Sequence, residues 1–209
     1  MNKRKRVKLV LNFLENNYKE ARCALNYSKP YELLIATRLS AQCTDKRVNS
    51  VTKVLFSKYN NIYSLASASF EEIRNIVRPC GFFNKKGQDI VEICRILMEE
   101  FNCEVPDSIE ELLKLPGVGR KTANLILGEI YKKPAIVVDT HLIRISSRLC
   151  LVEEKNPTRI EWILKKIIPK KESLSFCHRV IEFGRDRCKA LKPICFDCGL
   201  SEICDKGKN

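Results

Sequence analysis

Apolar residues recur at helical spacing along almost the whole of this chain. Helix-length segments fall at residues 5–16, 30–39, 45–58, 70–77, 85–101, 108–114, 120–131, 140–149, 158–168 and 174–184. Chain breakers separate them: the stretch from Asn26 to Pro30, Pro79 with Gly81, Pro106, a glycine pair at 117 and 119, Pro134, Asn156-Pro157 and Pro169. The one strand-like run, Ala135-Ile136-Val137-Val138, is too short to make a sheet. The pattern predicts an all-α fold, and Pro134 marks a crossing from an inner helical part to a C-terminal one.

The most informative break is Leu115-Pro116-Gly117-Val118-Gly119-Arg120-Lys121-Thr122. Before it, Ser108 with Glu111 reads as a capping box, and Ile109, Leu112 and Leu113 give a short apolar face. After it, Ala123, Leu125, Ile126, Leu127 and Ile130 supply a second helical run. Two glycines between helices allow a tight hairpin, whose N–H groups, with those opening the second helix, can hold an anion such as a DNA phosphate. Lys121 stands at the start of that helix. Taken alone, the pattern also fits a plain turn beside a solvated lysine.

Charge narrows the partners. With 38 Lys+Arg against 25 Asp+Glu the formal net charge is +13, which favours a polyanion. The basic start, Lys3 to Arg6, is followed by Lys8, Asn12 and Glu15, so it opens no signal peptide, and no segment has the length of a membrane span. A cytoplasmic, nucleoid-associated protein is expected. Without a secretory signal, the 11 cysteines point to metal binding or burial rather than disulfides. Cys23, Cys43, Cys80, Cys94, Cys103, Cys150 and Cys177 have no ligand spacing and read as small, mostly buried residues.

The remaining four, Cys188-x6-Cys195-x2-Cys198-x5-Cys204, can wrap one soft metal centre, either zinc or an iron–sulfur cluster. Lys189 and Lys192 lie between the first two ligands, as phosphate contacts or as surface charge. Upstream, Asp139 in Val137-Val138-Asp139-Thr140-His141 sits where a helix begins, so it reads first as an N-cap.

Together, L-P-G-V-G-R-K-T, V-D-T-H, the four-cysteine spacing and Leu39-Ser40-Ala41-Gln42-Cys43-Thr44-Asp45 resemble the endonuclease III family of helix-hairpin-helix DNA glycosylases. The resemblance runs from about Asn26 to Asp205. It implies two helical domains, one at 22–133 carrying the hairpin, the other joining 1–21 to 134–209. It implies a 4Fe–4S cluster on Cys188, Cys195, Cys198 and Cys204, and a monomer acting on double-stranded DNA that contains damaged bases or abasic sites. Lys121 becomes the nucleophile, and Asp139 faces it across a cleft. Gln42 enters the space a flipped nucleotide leaves, and Phe82 falls at the wedge position of a second loop. Gly117, Val118, Gly119, Arg120, Lys189 and Lys192 become the phosphate grip. His141 and His178 support helices.

The implied activity is a bifunctional glycosylase and abasic-site lyase for oxidised pyrimidines. Breaking an N-glycosidic bond builds positive charge on the sugar, which a carboxylate stabilises. An amine at C1′ then forms a Schiff base and permits β-elimination of the 3′ phosphate. The attacking amine must be neutral, and at an ordinary lysine pKa of about 10.4 only about one in 2,500 is so at pH 7. Arg120, the positive helix end and partial burial all favour the neutral form. Two departures bear on the base pocket: Leu127 to Lys133 replaces the family's small or aromatic residues, and Phe82 stands where an aliphatic is common. Relatives without the lysine only remove the base. A glycosylase of this scaffold with another base specificity, and a DNA-binding module without catalysis, are the alternatives.

Overall fold

The computed structural model describes residues 1–205 and contains, among them, eleven α-helices and no strand. The chain divides into two units, Cys23–Tyr131 and Met1–Arg22 with the chain from Lys132 onward. No helix among the described residues is long and apolar enough to cross a membrane.

The inner unit is built around α2 (Pro30–Ser40). Leu33, Leu34, Ile35, Ala36 and Leu39 are all fully buried, so this helix is apolar nearly all round and must be surrounded. It packs on α3 (Asp45–Lys58), α6 (Phe83–Glu100) and α8 (Arg120–Glu129). Glu32 starts it by accepting the backbone N–H groups of Ser28 and Lys29 at 2.7 and 3.2 Å. One helix was not expected from the sequence: α4, Ile62–Ala66, a five-residue element capped by Asn61 and anchored by buried Ile62 and Leu65. It is too short for its periodicity to register. α5 (Phe70–Val77) follows and packs on α6. α7 covers only Ile109–Leu112. Ser108 caps it through the Glu111 N–H at 3.2 Å, but the Glu111 carboxylate accepts the Ser108 hydroxyl at 2.7 Å, so the capping box is half formed.

In the other unit α1 (Lys3–Asn17) lies on α11 (Ser173–Asp186), which packs on α9 (Thr140–Arg148). Phe13 and Tyr18 meet Phe183 edge to face at 5.6 and 5.8 Å. α10 (Pro157–Ile167) begins at Asn156, whose side chain accepts the N–H groups of Thr158 and Arg159. The strand-like run forms no strand among the described residues. Its buried residues are pinned to α11 instead: the Ala135 N–H donates to Ser173 Oγ at 3.1 Å and the Val137 N–H to Cys177 Sγ at 3.2 Å. Cys177 donates in turn to the Ser173 carbonyl, and burial pushes its thiol up to about 12. It is therefore a polar tether as well as a small core residue. Of the seven unclustered cysteines only Cys80, Cys94 and Cys177 are buried; Cys23, Cys43, Cys103 and Cys150 are half-buried, fewer inside than the sequence suggested.

Candidate active site and nucleic-acid interface

The two hairpin glycines do different work. Gly117 has φ +68°, and a Cβ there would fall 2.1 Å from Arg38 Nε and 2.7 Å from Asp89 Oδ2. Arg38 and Asp89 form a salt bridge at 2.6 Å with the Asp89 side chain 1% exposed, and Lys85 pairs with the second Asp89 oxygen at 3.0 Å. The turn thus lies directly on a buried ion pair. Gly119 has φ −101°, open to any residue, and a Cβ on it would meet nothing within 4 Å. Tightness therefore requires only the first glycine, contrary to the expectation for both. Val118 is buried and its N–H is spent on the Leu115 carbonyl at 3.1 Å, so it is not a free donor. The backbone ladder of α8 begins with Ala123 N–H to Gly119 O at 2.9 Å; the N–H groups just ahead of Ala123 have no place in it. Lys121, in that first turn, is exposed, where partial burial was expected. Arg120 is half-buried beside it.

The segments holding Gln42 and Phe82 meet within the same unit. Gln42 is exposed with φ 54°; Phe82 is 65% exposed with φ 49° and precedes α6 as its cap, after Gly81 at φ 68°. Its neighbour Phe83 is half-buried against the core, beside the Arg78 guanidinium. The aromatic pair therefore splits into one anchor and one free ring. Both segments are tied to Lys86, whose ammonium donates to the carbonyls of Leu39, Ala41 and Cys80. Sequence reasoning missed this residue, because a lysine beside a lysine in a polar turn looks like surface.

In the other unit Asp139 is the N-cap of α9, as its place before the helix implied. Oδ1 accepts the Leu142 N–H at 2.8 Å, and Oδ2 lies 3.0 Å from His141 Nδ1. The carboxylate is only 11% exposed. His141 in turn packs against Gly184 of α11, where a Cβ would fall 2.6 Å from its ring. Further along α9, Arg144 donates to the Cys188 carbonyl at 3.0 Å, and Arg148 to the carbonyls of Lys189 and Ala190 at 2.8 and 2.9 Å. One helix thus carries the carboxylate at its start and grips the cysteine loop from its side. These arginines, spaced i and i+4 on one face, were legible only as charge.

The four clustered cysteines line one cavity, together with Phe183, Leu200 and Arg148. Arg148 reaches Cys188 Sγ at 3.2 Å, a contact suited to a thiolate. Among the described residues no three side chains converge tightly enough for a single metal ion. Four sulfur donors on one enclosed space, with a cation beside one of them, fit a multi-sulfur centre. Lys189 and Lys192 are both exposed on this loop, and Lys192 has φ 32°.

Residues 35–170 match the family described as HhH-GPD superfamily base excision DNA repair protein. The chain is 44% identical over 203 residues to endonuclease III of Synechocystis sp., covering 97% of this chain and 93% of that one. To endonuclease III of Escherichia coli K12 it is 38% identical over 205 residues, covering 98% and 97%. Among solved structures it is similar to a trapped endonuclease III–DNA covalent intermediate, with TM-score 0.94, 42% identity and coverage of 100% and 98%. A thermostable thymine-DNA glycosylase shares the fold at TM-score 0.86 and 24% identity, covering 99% and 97%.

Proposed function

Since the chain belongs to the endonuclease III family of the HhH-GPD superfamily, bifunctional DNA glycosylases and abasic-site lyases of base excision repair, we propose that it removes oxidised pyrimidines from duplex DNA through a Schiff base on Lys121. The observation that carries this reading is an exposed lysine in the first turn of α8, directly after a glycine hairpin. The hairpin and helix opening bind a backbone phosphate, and the open space at Gly119 lets that phosphate come close. Asp139, its direction fixed by Leu142 and His141, stabilises the cation that forms as the base departs. The Lys121 amine adds to C1′ of that cation, the C1′–O4′ bond opens with the amine's proton passing to O4′ to leave the imine, and the activated C2′ proton is removed with expulsion of the 3′ phosphate. Gln42 and Phe82 fill the gap left by the extruded nucleotide.

Cys188, Cys195, Cys198 and Cys204 would hold a 4Fe–4S cluster, which supplies a structural cross-link for a tail too short to build a core of its own. Lys189 and Lys192 are carried on the loop it closes and contact phosphates. The protein works as a monomer on one damaged duplex.

Lys121→Gln tests the assignment. It is expected to abolish nicking of a duplex with one abasic site and to abolish borohydride trapping, with duplex binding retained in a gel-shift assay. Continued trapping of the variant on DNA would overturn the role of Lys121.

A further inference from the structure

Lys86 puts a charge where a core residue would be apolar. It is 1% exposed, and burial pulls its pKa below the usual lysine value. Its Nζ donates to Leu39 O at 2.9 Å, Ala41 O at 2.7 Å and Cys80 O at 2.8 Å. An ammonium has three donors, so all are spent, and none of these acceptors is a carboxylate. The acceptors explain the charge. Leu39 and Ala41 belong to the C-terminal end of α2, and Cys80 ends the 3-10 turn Arg78–Cys80. Carbonyls at helix ends lack intrahelical partners and carry the negative end of the dipole. One buried cation therefore satisfies two chain ends at once.

These two ends launch the exposed residues. Gln42 follows Ala41 directly, and Phe82 follows Cys80 by two. Gln42, Gly81 and Phe82 all have left-handed backbone. Non-glycine residues hold that conformation only where their surroundings over-determine it.

We infer that Lys86 is a positioning residue that locks the Gln42 and Phe82 segments to each other, so that they enter the duplex as one preformed wedge. This rests on the reading of Gln42 and Phe82 as the inserting residues. The side chain acts through backbone carbonyls and touches no substrate.

The test uses two readouts on the full protein. The first is a duplex with an uncleavable tetrahydrofuran abasic analogue opposite 2-aminopurine, whose fluorescence rises when the orphan base is unstacked. The second is the ratio of nicking rates on duplex and single-stranded abasic oligonucleotides, since a single strand has no stack to fill. Lys86→Met is expected to blunt the fluorescence rise and to lower the duplex-to-single-strand ratio about a hundredfold, the scale of a small misplacement. Lys86→Gln, which keeps part of the donor set, should fall between, and it serves as the decisive variant if Lys86→Met does not fold. A merely structural role would slow both substrates alike and leave the ratio at its normal value, which would overturn the inference. Gln42→Ala and Phe82→Ala separate the premise from the conclusion. If both keep the full fluorescence rise, the insertion reading fails and the inference falls with it. If they lose it while Lys86 variants keep it, insertion stands and the inference alone is wrong.

Discussion

Asp139 has both carboxylate oxygens engaged within its own unit, one on the Leu142 N–H and one against His141. That pairing separates its two roles experimentally. Asparagine caps helices as well as aspartate, so Asp139→Asn keeps the helix start while it removes the charge and sets an amide NH2 in place of the oxygen facing His141. Thermal stability should hold nearly constant while base release slows by two or more orders of magnitude, read by single-turnover excision against circular-dichroism melting. Asp139→Ala should lose the same activity and about 1 kcal/mol of stability besides. Near-normal excision by the asparagine variant would reduce Asp139 to a cap. The cap could be read from the sequence, because it depends on residues three positions apart. The His141 contact is equally local, but its backing by Gly184 is not: that glycine lies on another helix, and only packing reveals that a methyl group would strike the imidazole.

At the scale of elements, the hairpin shows why a motif predicts chemistry better than it predicts conformation. Sequence reasoning gave both glycines one explanation, tightness, whereas only Gly117 needs it. Gly117→Ala meets a positive φ and the Arg38–Asp89 ion pair, and should cost more than about 1 kcal/mol by denaturant unfolding. Gly119→Ala fits its backbone and finds empty space, but Gly119 is the N-cap of α8, where alanine is less favourable than glycine, so the two effects offset and stability should change by less than about 1 kcal/mol. Its effect should appear instead as weaker duplex binding, because the added methyl occupies the approach of a phosphate. Equal affinities for Gly119→Ala and the parent would remove the phosphate from that position. The helices themselves were legible wherever an apolar stripe ran for two turns or more. α4 was not, and α6 starts earlier than its stripe because Phe82 caps it from a left-handed conformation. The Ala135–Val138 run shows the converse limit: its β-branched residues read as strand-like, while its hydrogen-bond partners, Ser173 and Cys177, lie far along the chain on a helix.

For the whole molecule the governing quantity is the net charge of +13, which fixes how binding responds to salt but not where the phosphates lie. Each lysine that neutralises one phosphate contributes about −0.9 to the slope of log affinity against log salt. A solvated lysine elsewhere contributes little to that slope, even though it counts equally in the total charge. Lys189 and Lys192 are the informative pair, because Arg144 and Arg148 hold their loop through the carbonyls of Cys188, Lys189 and Ala190. Anchored by its backbone carbonyls, the loop leaves both lysine side chains exposed. Replacing both by alanine should therefore reduce the steepness of the salt dependence by about two, measured by fluorescence anisotropy between 50 and 200 mM salt. The loss should be the same on damaged and undamaged duplex, since phosphate contacts carry no base information. An unchanged slope would return both lysines to the solvated surface and leave the hairpin as the phosphate grip. A loss confined to damaged DNA would mean that the loop reads the lesion rather than the backbone.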